Sequence, residues 1–218
     1  MPRRFELIVF DWDGTLLDSA GAIAACIQAA ARDLGLAAPS DDRARHVIGL
    51  GLEDALGHAL PDLDRADYGR LAERYRHHFL LRDAALPLFE GTRELLAALR
   101  SRGHVLAIAT GKSRSGLARA LEQTELAPAF AATRCADQCA PKPAPDMLLE
   151  LIAELDADPA RTLMIGDTTH DLQMAANAGV AAVAVAYGAH PAAALAPLAP
   201  LALAASTAQL AAWLAENA

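Results

Sequence analysis

Four short runs of the chain are continuously apolar after their first residue, and the first three stop at Asp11, Thr110 and Gly166. They are Glu6-Leu7-Ile8-Val9-Phe10, His104-Val105-Leu106-Ala107-Ile108-Ala109, Thr162-Leu163-Met164-Ile165 and Val180 to Val185. None alternates between apolar and polar positions, so each reads as a strand covered on both faces, as in a parallel sheet. Between the runs the apolar residues fall at helical spacing, over Thr92 to Arg102, Ser113 to Gln123, Asp146 to Leu155 and Asp171 to Ala178. Gly103 and Gly179 stand where helices should stop, and Pro145-Asp146 where one should start. Strand and helix in alternation predict an α/β fold, a doubly wound parallel sheet of the Rossmann-like kind.

The stretch from Asp18 to Leu86 breaks this rhythm. Leu71, Tyr75, His78 and Phe79 keep a helical period, and no run qualifies as a strand. Pro39-Ser40, Gly49-Leu50-Gly51 and Pro61-Asp62 divide the stretch into about four helices. The expected division is a catalytic core of residues 1–17 and 87–218 with an inserted all-helical cap domain over 18–86. Pro87-Leu88-Phe89-Glu90-Gly91 serves as the returning hinge.

Composition narrows the function. Of 218 residues 54% are hydrophobic, which excludes a disordered chain, while aromatics make up only 5% and leave few platforms for stacking bases. A net charge of −8 lacks the basic footprint of a nucleic-acid binder, so no nucleic-acid partner is expected. Cys26, Cys135 and Cys139 are too few for a disulfide framework, and no Cys/His set completes a zinc site, so they read as reduced thiols. Met1-Pro2-Arg3-Arg4 has a superficial twin-arginine look, but Asp11 cuts short the apolar stretch that follows. No segment has the length and apolarity of a membrane span. A cytoplasmic protein without membrane contact, monomeric or homodimeric, is the expectation.

The first strand runs into Asp11-Trp12-Asp13-Gly14-Thr15-Leu16-Leu17-Asp18. Ligands of open α/β sheets gather at the carboxyl ends of strands, where Asp11 and Asp13 would sit. Two carboxylates one residue apart repel each other unless a cation or a shared proton intervenes, and a hard ion such as Mg²⁺ suits an all-oxygen site. One carboxylate can then attack phosphorus while the other acts as acid and then base. Gly14 permits close backbone approach, which makes its amide a candidate to hold substrate oxygens.

Three further positions fit the same chemistry. Thr110 ends the second strand, and its hydroxyl with the Gly111 amide can grip a phosphate oxygen, or can merely cap the next helix. The Gly111-Lys112-Ser113 triplet is no P-loop, because Leu106 occupies the place of the required glycine. Lys142, flanked by Pro141 and Pro143, offers one cation on a stiff loop. Asp167, past the strand Thr162–Ile165, can complete a metal's oxygen shell. Asp171, about a turn further on, can bind through water or orient Lys142. His170 has a suitable side chain for acid/base work but is not assigned a role.

The eight-residue string, together with Thr110-Gly111, the Lys142-Pro143-Ala144-Pro145 segment and Gly166-Asp167, resembles the ordered motifs of the haloacid dehalogenase superfamily of hydrolases over nearly the whole chain. The resemblance implies Asp11 as nucleophile and Asp13 as general acid/base, with Thr110 and the Gly111 amide at the phosphate. It makes Lys142 the neutralising cation and Asp167 a direct ligand, the metal set being Asp11, Asp13 and Asp167. Asp13 favours phosphoryl transfer, since true dehalogenases lack an aspartate there. Placement of the helical insert resembles the phosphoglycolate phosphatase-like members. A small phosphorylated metabolite is therefore the expected substrate, phosphoglycolate first among candidates. Within the insert, Arg45 to Glu53 reads either as a substrate loop, with Gly49 and Gly51 giving backbone access, or as a plain helix–helix turn. A phosphosugar mutase shares all four motifs, although Thr15-Leu16 looks more like the phosphatases. A phosphorylated receiver module would lack the insert.

Overall fold

The computed structural model describes residues 4–218, and Met1, Pro2 and Arg3, where the superficial twin-arginine look begins, lie outside it. The order is β1 (Leu7–Phe10), four helices α1 (Ala20–Asp33), α2 (Asp41–His46), α3 (Leu52–Ala59) and α4 (Tyr68–Asp83), then α5 (Thr92–Ser101). There follow β2 (Val105–Thr110), α6 (Arg114–Gln123), β3 (Ala132–Cys135), α7 (Asp146–Glu154), β4 (Thr162–Gly166) and α8 (Thr169–Asn177). The chain closes with β5 (Ala181–Val185), the short α9 (Ala192–Leu195), β6 (Leu203–Ala204) and α10 (Thr207–Asn217). All six strands are parallel, in the order β3-β2-β1-β4-β5-β6.

The expected α/β class is the one observed, and the four apolar runs form β1, β2, β4 and β5. Their continuity reflects cover on both sides. Ile8, Phe10, Ile108 and Ile165 face Leu95, Leu99, Leu117 and Leu210 of α5, α6 and α10. Leu7, Val9, Ala107 and Met164 face Met147, Leu151 and Met174 of α7 and α8. Two strands escaped the sequence reading, β3 and the two-residue β6. β3 carries Thr133 and Arg134 on a sheet edge, where polar side chains reach solvent.

Order in the sheet fixes where chemistry can happen. The chain runs outward from β1 through β2 to β3, then crosses back to β4 on the other side of β1. The carboxyl ends of β1 and β4 thus border the switch point, the ligand crevice of such sheets. Phe10 pairs with Ile165, and the Asp11 amide donates to the Ile165 carbonyl at 2.9 Å. Asp11 and Asp167 are thereby held on adjacent strand ends.

The helices α1 to α4 enclose a separate apolar cluster containing Ile23, Ile27, Val47, Leu56, Leu71 and Phe79. Chain enters and leaves this insertion through two adjacent segments. The Asp18 amide donates to the Pro87 carbonyl at 2.9 Å and the Phe89 amide to the Leu16 carbonyl at 3.0 Å, with Leu17 bridged antiparallel to Leu88. Among the described residues no helix is long and apolar enough to cross a membrane.

Candidate active site

After β1 the chain turns on Trp12, whose carbonyl accepts the amides of Leu16 and Leu17 at 3.0 Å each. Gly14 adopts φ +84°, a conformation costly for other residues. Its amide donates to the Leu17 carbonyl at 2.9 Å, which corrects the expectation that this amide holds substrate: the turn consumes it. Clearance is what the glycine supplies. A Cβ at position 14 would lie 2.2 Å from an Asp167 oxygen. Gly14→Ala should therefore lower the melting temperature by the equivalent of about 1–3 kcal/mol. It should also shift the Asp167 carboxylate, and an unchanged melting temperature would refute this reading.

Asp11 is buried, and its Oδ1 lies 2.9 Å from the Nζ of Lys142. Its Oδ2 has no hydrogen-bond partner. Lys142 is itself fully enclosed, beside a cis Lys142–Pro143 bond, and Nζ is also 2.6 Å from Asp171 Oδ1. Asp171 Oδ2 accepts from the Thr168 amide at 3.0 Å and from the Thr168 hydroxyl at 2.7 Å. The Thr168 hydroxyl in turn accepts from the Asp171 amide, a capping box that starts α8. One carboxylate thus caps the helix and fixes the lysine.

Asp167 is gripped from two sides. Thr15 Oγ1 donates to Oδ1 at 2.8 Å and the Ala189 amide to Oδ2 at 2.7 Å. Ligand oxygens of Asp11, Asp167 and Asp171 all lie within 4.8 Å of one another. The Asp13 carboxylate is outside that group. It turns toward Ser19, whose hydroxyl donates to Oδ1 at 2.8 Å, and toward Lys112, whose Nζ is 3.2 Å from both oxygens. Thr110 is buried at the end of β2, its hydroxyl accepting the Lys112 amide at 3.1 Å. Gly111 has no room for a side chain, since a Cβ would meet the Gly49 and Leu50 carbonyls at 2.5 and 2.6 Å. The Arg45–Glu53 segment therefore seats its backbone directly on the phosphate-motif turn. His170 reaches that segment too: its Nε2 and that of His190 both contact the His46 carbonyl, at 2.9 and 3.1 Å, away from the carboxylates.

A cavity of about 680 Å³ opens between the strand ends and the insertion, with Asp11, Asp13 and Thr110 on its floor and Ile23, Ile48 and Phe79 among its walls. Lys142 and Asp167 lie buried beside Asp11. Thr15, Ser19, Lys112 and Ala189 are the contributors the sequence reading left unassigned. Lys112 stood in the Gly-Lys-Ser triplet, but its pairing with Asp13 has no sequence signature.

The Asp11 carboxyl is raised to about 7, chiefly by burial and then by Asp171 and Asp13, against the opposing pull of Lys142. Asp167 is driven well above the carboxylate range by burial, then by Asp11 and Asp171. Burial alone would lower Lys142, but the Asp11 and Asp171 carboxylates outweigh it and hold the ammonium above its usual range. With all four carboxyls ionised, Asp11, Asp13, Asp167 and Asp171 against Lys112 and Lys142 would leave the pocket two charges negative, an excess that the raised Asp11 and Asp167 carboxyls relieve by holding protons until a cation offsets it. An all-oxygen donor set with that deficit and an orphaned Asp11 oxygen fits a hard divalent cation.

A parallel α/β sheet with converging acids and one enclosed lysine at its switch point defines an enzyme of the doubly wound class. The haloacid dehalogenase-like hydrolase family matches residues 8–185, and the chain belongs to it. It is 38% identical over 187 residues to the probable phosphatase IndB of Dickeya dadantii (strain 3937), covering 82% of this chain and 80% of that one. The phosphoglycolate phosphatase of Agrobacterium fabrum (strain C58 / ATCC 33970) is 32% identical over 188 residues, covering 82% and 79%. The crystal structure of a haloacid dehalogenase-like hydrolase from Bacteroides fragilis superposes with a TM-score of 0.87 at 27% identity, over 94% of this chain and 99% of that one. The chain is a hydrolase of phosphatase type.

Proposed function

We propose a Mg²⁺-dependent phosphatase that hydrolyses a small phosphate monoester through an aspartyl-phosphate on Asp11. The observation that carries this reading is the free Asp11 Oδ2, buried at the cleft floor while Oδ1 is held by Lys142. That oxygen attacks phosphorus, and the leaving alcohol takes a proton from Asp13. Asp13 then accepts a proton from water, whose oxygen attacks phosphorus and releases the Asp11 carboxylate with inorganic phosphate. Lys142 and the Thr110 hydroxyl neutralise and hold the phosphoryl oxygens. A divalent cation, when bound, offsets the pocket's negative charge and polarises a phosphoryl oxygen. Asp11 and Asp167 would hold it, with Asp171 beside them. Helices α1 to α4 act as a cap that excludes water and selects the leaving group.

The similarity to a phosphoglycolate phosphatase, with the placement of the insertion, makes phosphoglycolate the first substrate to assay. A panel of phosphate esters with Mg²⁺, scored for phosphate release and for isomer formation, tests the reading. Isomer without net phosphate would move the protein to the mutases.

Metal-free protein carries a second test. The folded-state value of Asp11 lies above its unfolded value of 3.8, so the folded protein binds the proton more tightly. Stability from this group is complete below about pH 4 and is lost as pH rises through about 7. With EDTA present, the melting temperature should fall over that window, and Mg²⁺ should restore more of it at pH 8 than at pH 5. A flat profile in EDTA would contradict the buried-acid account.

A further inference from the structure

We propose that Lys112 is a positioning residue that ties the seating of the helical insertion to the alignment of the Asp13 carboxylate. The inference rests on the aspartyl-phosphate reading, in which Asp13 must carry protons. Lys112 Nζ is 3.2 Å from both Asp13 oxygens and lies 4.5 Å from the centroid of the Phe79 ring, on α4 of the insertion. The Lys112 side chain is only 9% exposed. One ammonium therefore spans the cleft, held electrostatically by a ring of the insertion and by a carboxylate just beyond the carboxyl end of β1.

Two neighbouring contacts make that bridge depend on how the insertion sits. Gly111, next in sequence, packs so closely under the Gly49 and Leu50 carbonyls that no Cβ fits. Ser19, which donates to Asp13 Oδ1 at 2.8 Å, is the last residue before α1. Both partners of Asp13 are thus set by the insertion, Ser19 at its entrance and Lys112 beneath its α4. With Phe79 seated, water is excluded and the Lys112–Asp13 attraction is strong. With Phe79 withdrawn, the pair is hydrated and worth little. Asp13 is then held in line only while the cleft is closed. Hydrolysis of the phosphoenzyme, in which water oxygen bonds to phosphorus, the Asp11–phosphorus bond breaks and the water proton passes to Asp13, occurs with bulk water shut out.

The test is a double-mutant cycle on the full chain with Mg²⁺, assayed on the best ester. Lys112→Met keeps the aliphatic stem and should lower kcat by about 10- to 100-fold with KM changed less than about threefold, at or below the roughly 10²- to 10⁴-fold that a positioned acid–base group itself contributes, because Lys112 acts through Asp13. Acid-quenched samples should contain more phosphoenzyme at steady state than wild type. Lys112→Arg should recover most of kcat. Phe79→Leu, which leaves the lysine intact, should lower kcat about three- to tenfold, and Phe79→Leu with Lys112→Met should be no slower than Lys112→Met alone. Losses that multiply, or a Lys112→Met effect confined to KM, would overturn the proposal while leaving the phosphatase reading in place. A wild type that turns over without any trapped acyl-phosphate would overturn that reading, and this proposal with it.

Discussion

Asp11→Asn is expected to abolish turnover, by on the order of 10⁴-fold or more in kcat, the scale on which deletion of a covalent nucleophile acts. Phosphate release from the best ester and acid-quench trapping of labelled phosphate on the protein measure it. The expectation comes from what each Asp11 oxygen does. Oδ1 is engaged by Lys142, Oδ2 is buried with no partner, and an amide in that place has no comparable nucleophile. Folding should respond in the opposite sense. The substitution deletes one of four crowded carboxylates, so in EDTA at pH 8 the variant should melt no lower than wild type, and the stabilisation by Mg²⁺ should shrink. An inactive but sturdy protein is the signature of a functional carboxylate kept at a cost to stability. Full activity in Asp11→Asn, or label still trapped on it, would end the nucleophile assignment.

How much of this was legible in the sequence depends on whether the relevant signal is local. β1 and the acids after it could be read because a continuous apolar run ending in paired aspartates is a local pattern with a local cause, burial on both faces and then the sheet edge. β3 could not. Its Arg134 pairs with Glu150 and Glu154 of α7 at 2.6 and 2.7 Å, so a strand residue that looks like loop is neutralised by the helix that follows, a contact made only once the two elements pack. The same division runs through the site. Asp11, Thr110, Lys142 and Asp167 sit at strand ends or on a proline-flanked loop, and the fold brings them around one cleft floor. What holds Asp167 includes the backbone amide of Ala189, a donor that any residue type provides, so it leaves no mark in the sequence. Gly14 reads from the sequence as a point of close backbone approach, yet its amide is spent on Leu17, a detail of turn geometry beyond residue type. Lys112 shows the limit most sharply. The failed glycine spacing was sound reason to reject a nucleotide loop, and the lysine's partners, Asp13 and Phe79, are supplied by tertiary contact alone.

Lys142→Met is expected to damage both folding and reaction, and a second substitution should separate the two. The ammonium sits between Asp11 at 2.9 Å and Asp171 at 2.6 Å, with all three groups shut off from solvent. Removing the one cation of this buried set leaves two carboxylates uncompensated, a loss of about 3–5 kcal/mol. Chemical denaturation at pH 8 in EDTA measures that loss, which should lessen toward pH 5 as the Asp11 carboxyl takes up a proton. Activity should fall by about 10²–10³-fold, as when a fixed donor to a transition-state oxygen is lost. Adding Asp171→Asn to Lys142→Met removes a carboxylate the lysine had balanced while leaving an oxygen to cap α8, so part of the stability should return. The turnover should not return, because an uncharged side chain at 142 still cannot neutralise the incoming phosphate. Stability recovered without activity would assign the lysine to the reaction and Asp171 to holding it in place. Activity recovered together with stability would reduce Lys142 to a structural tie between β1 and α8.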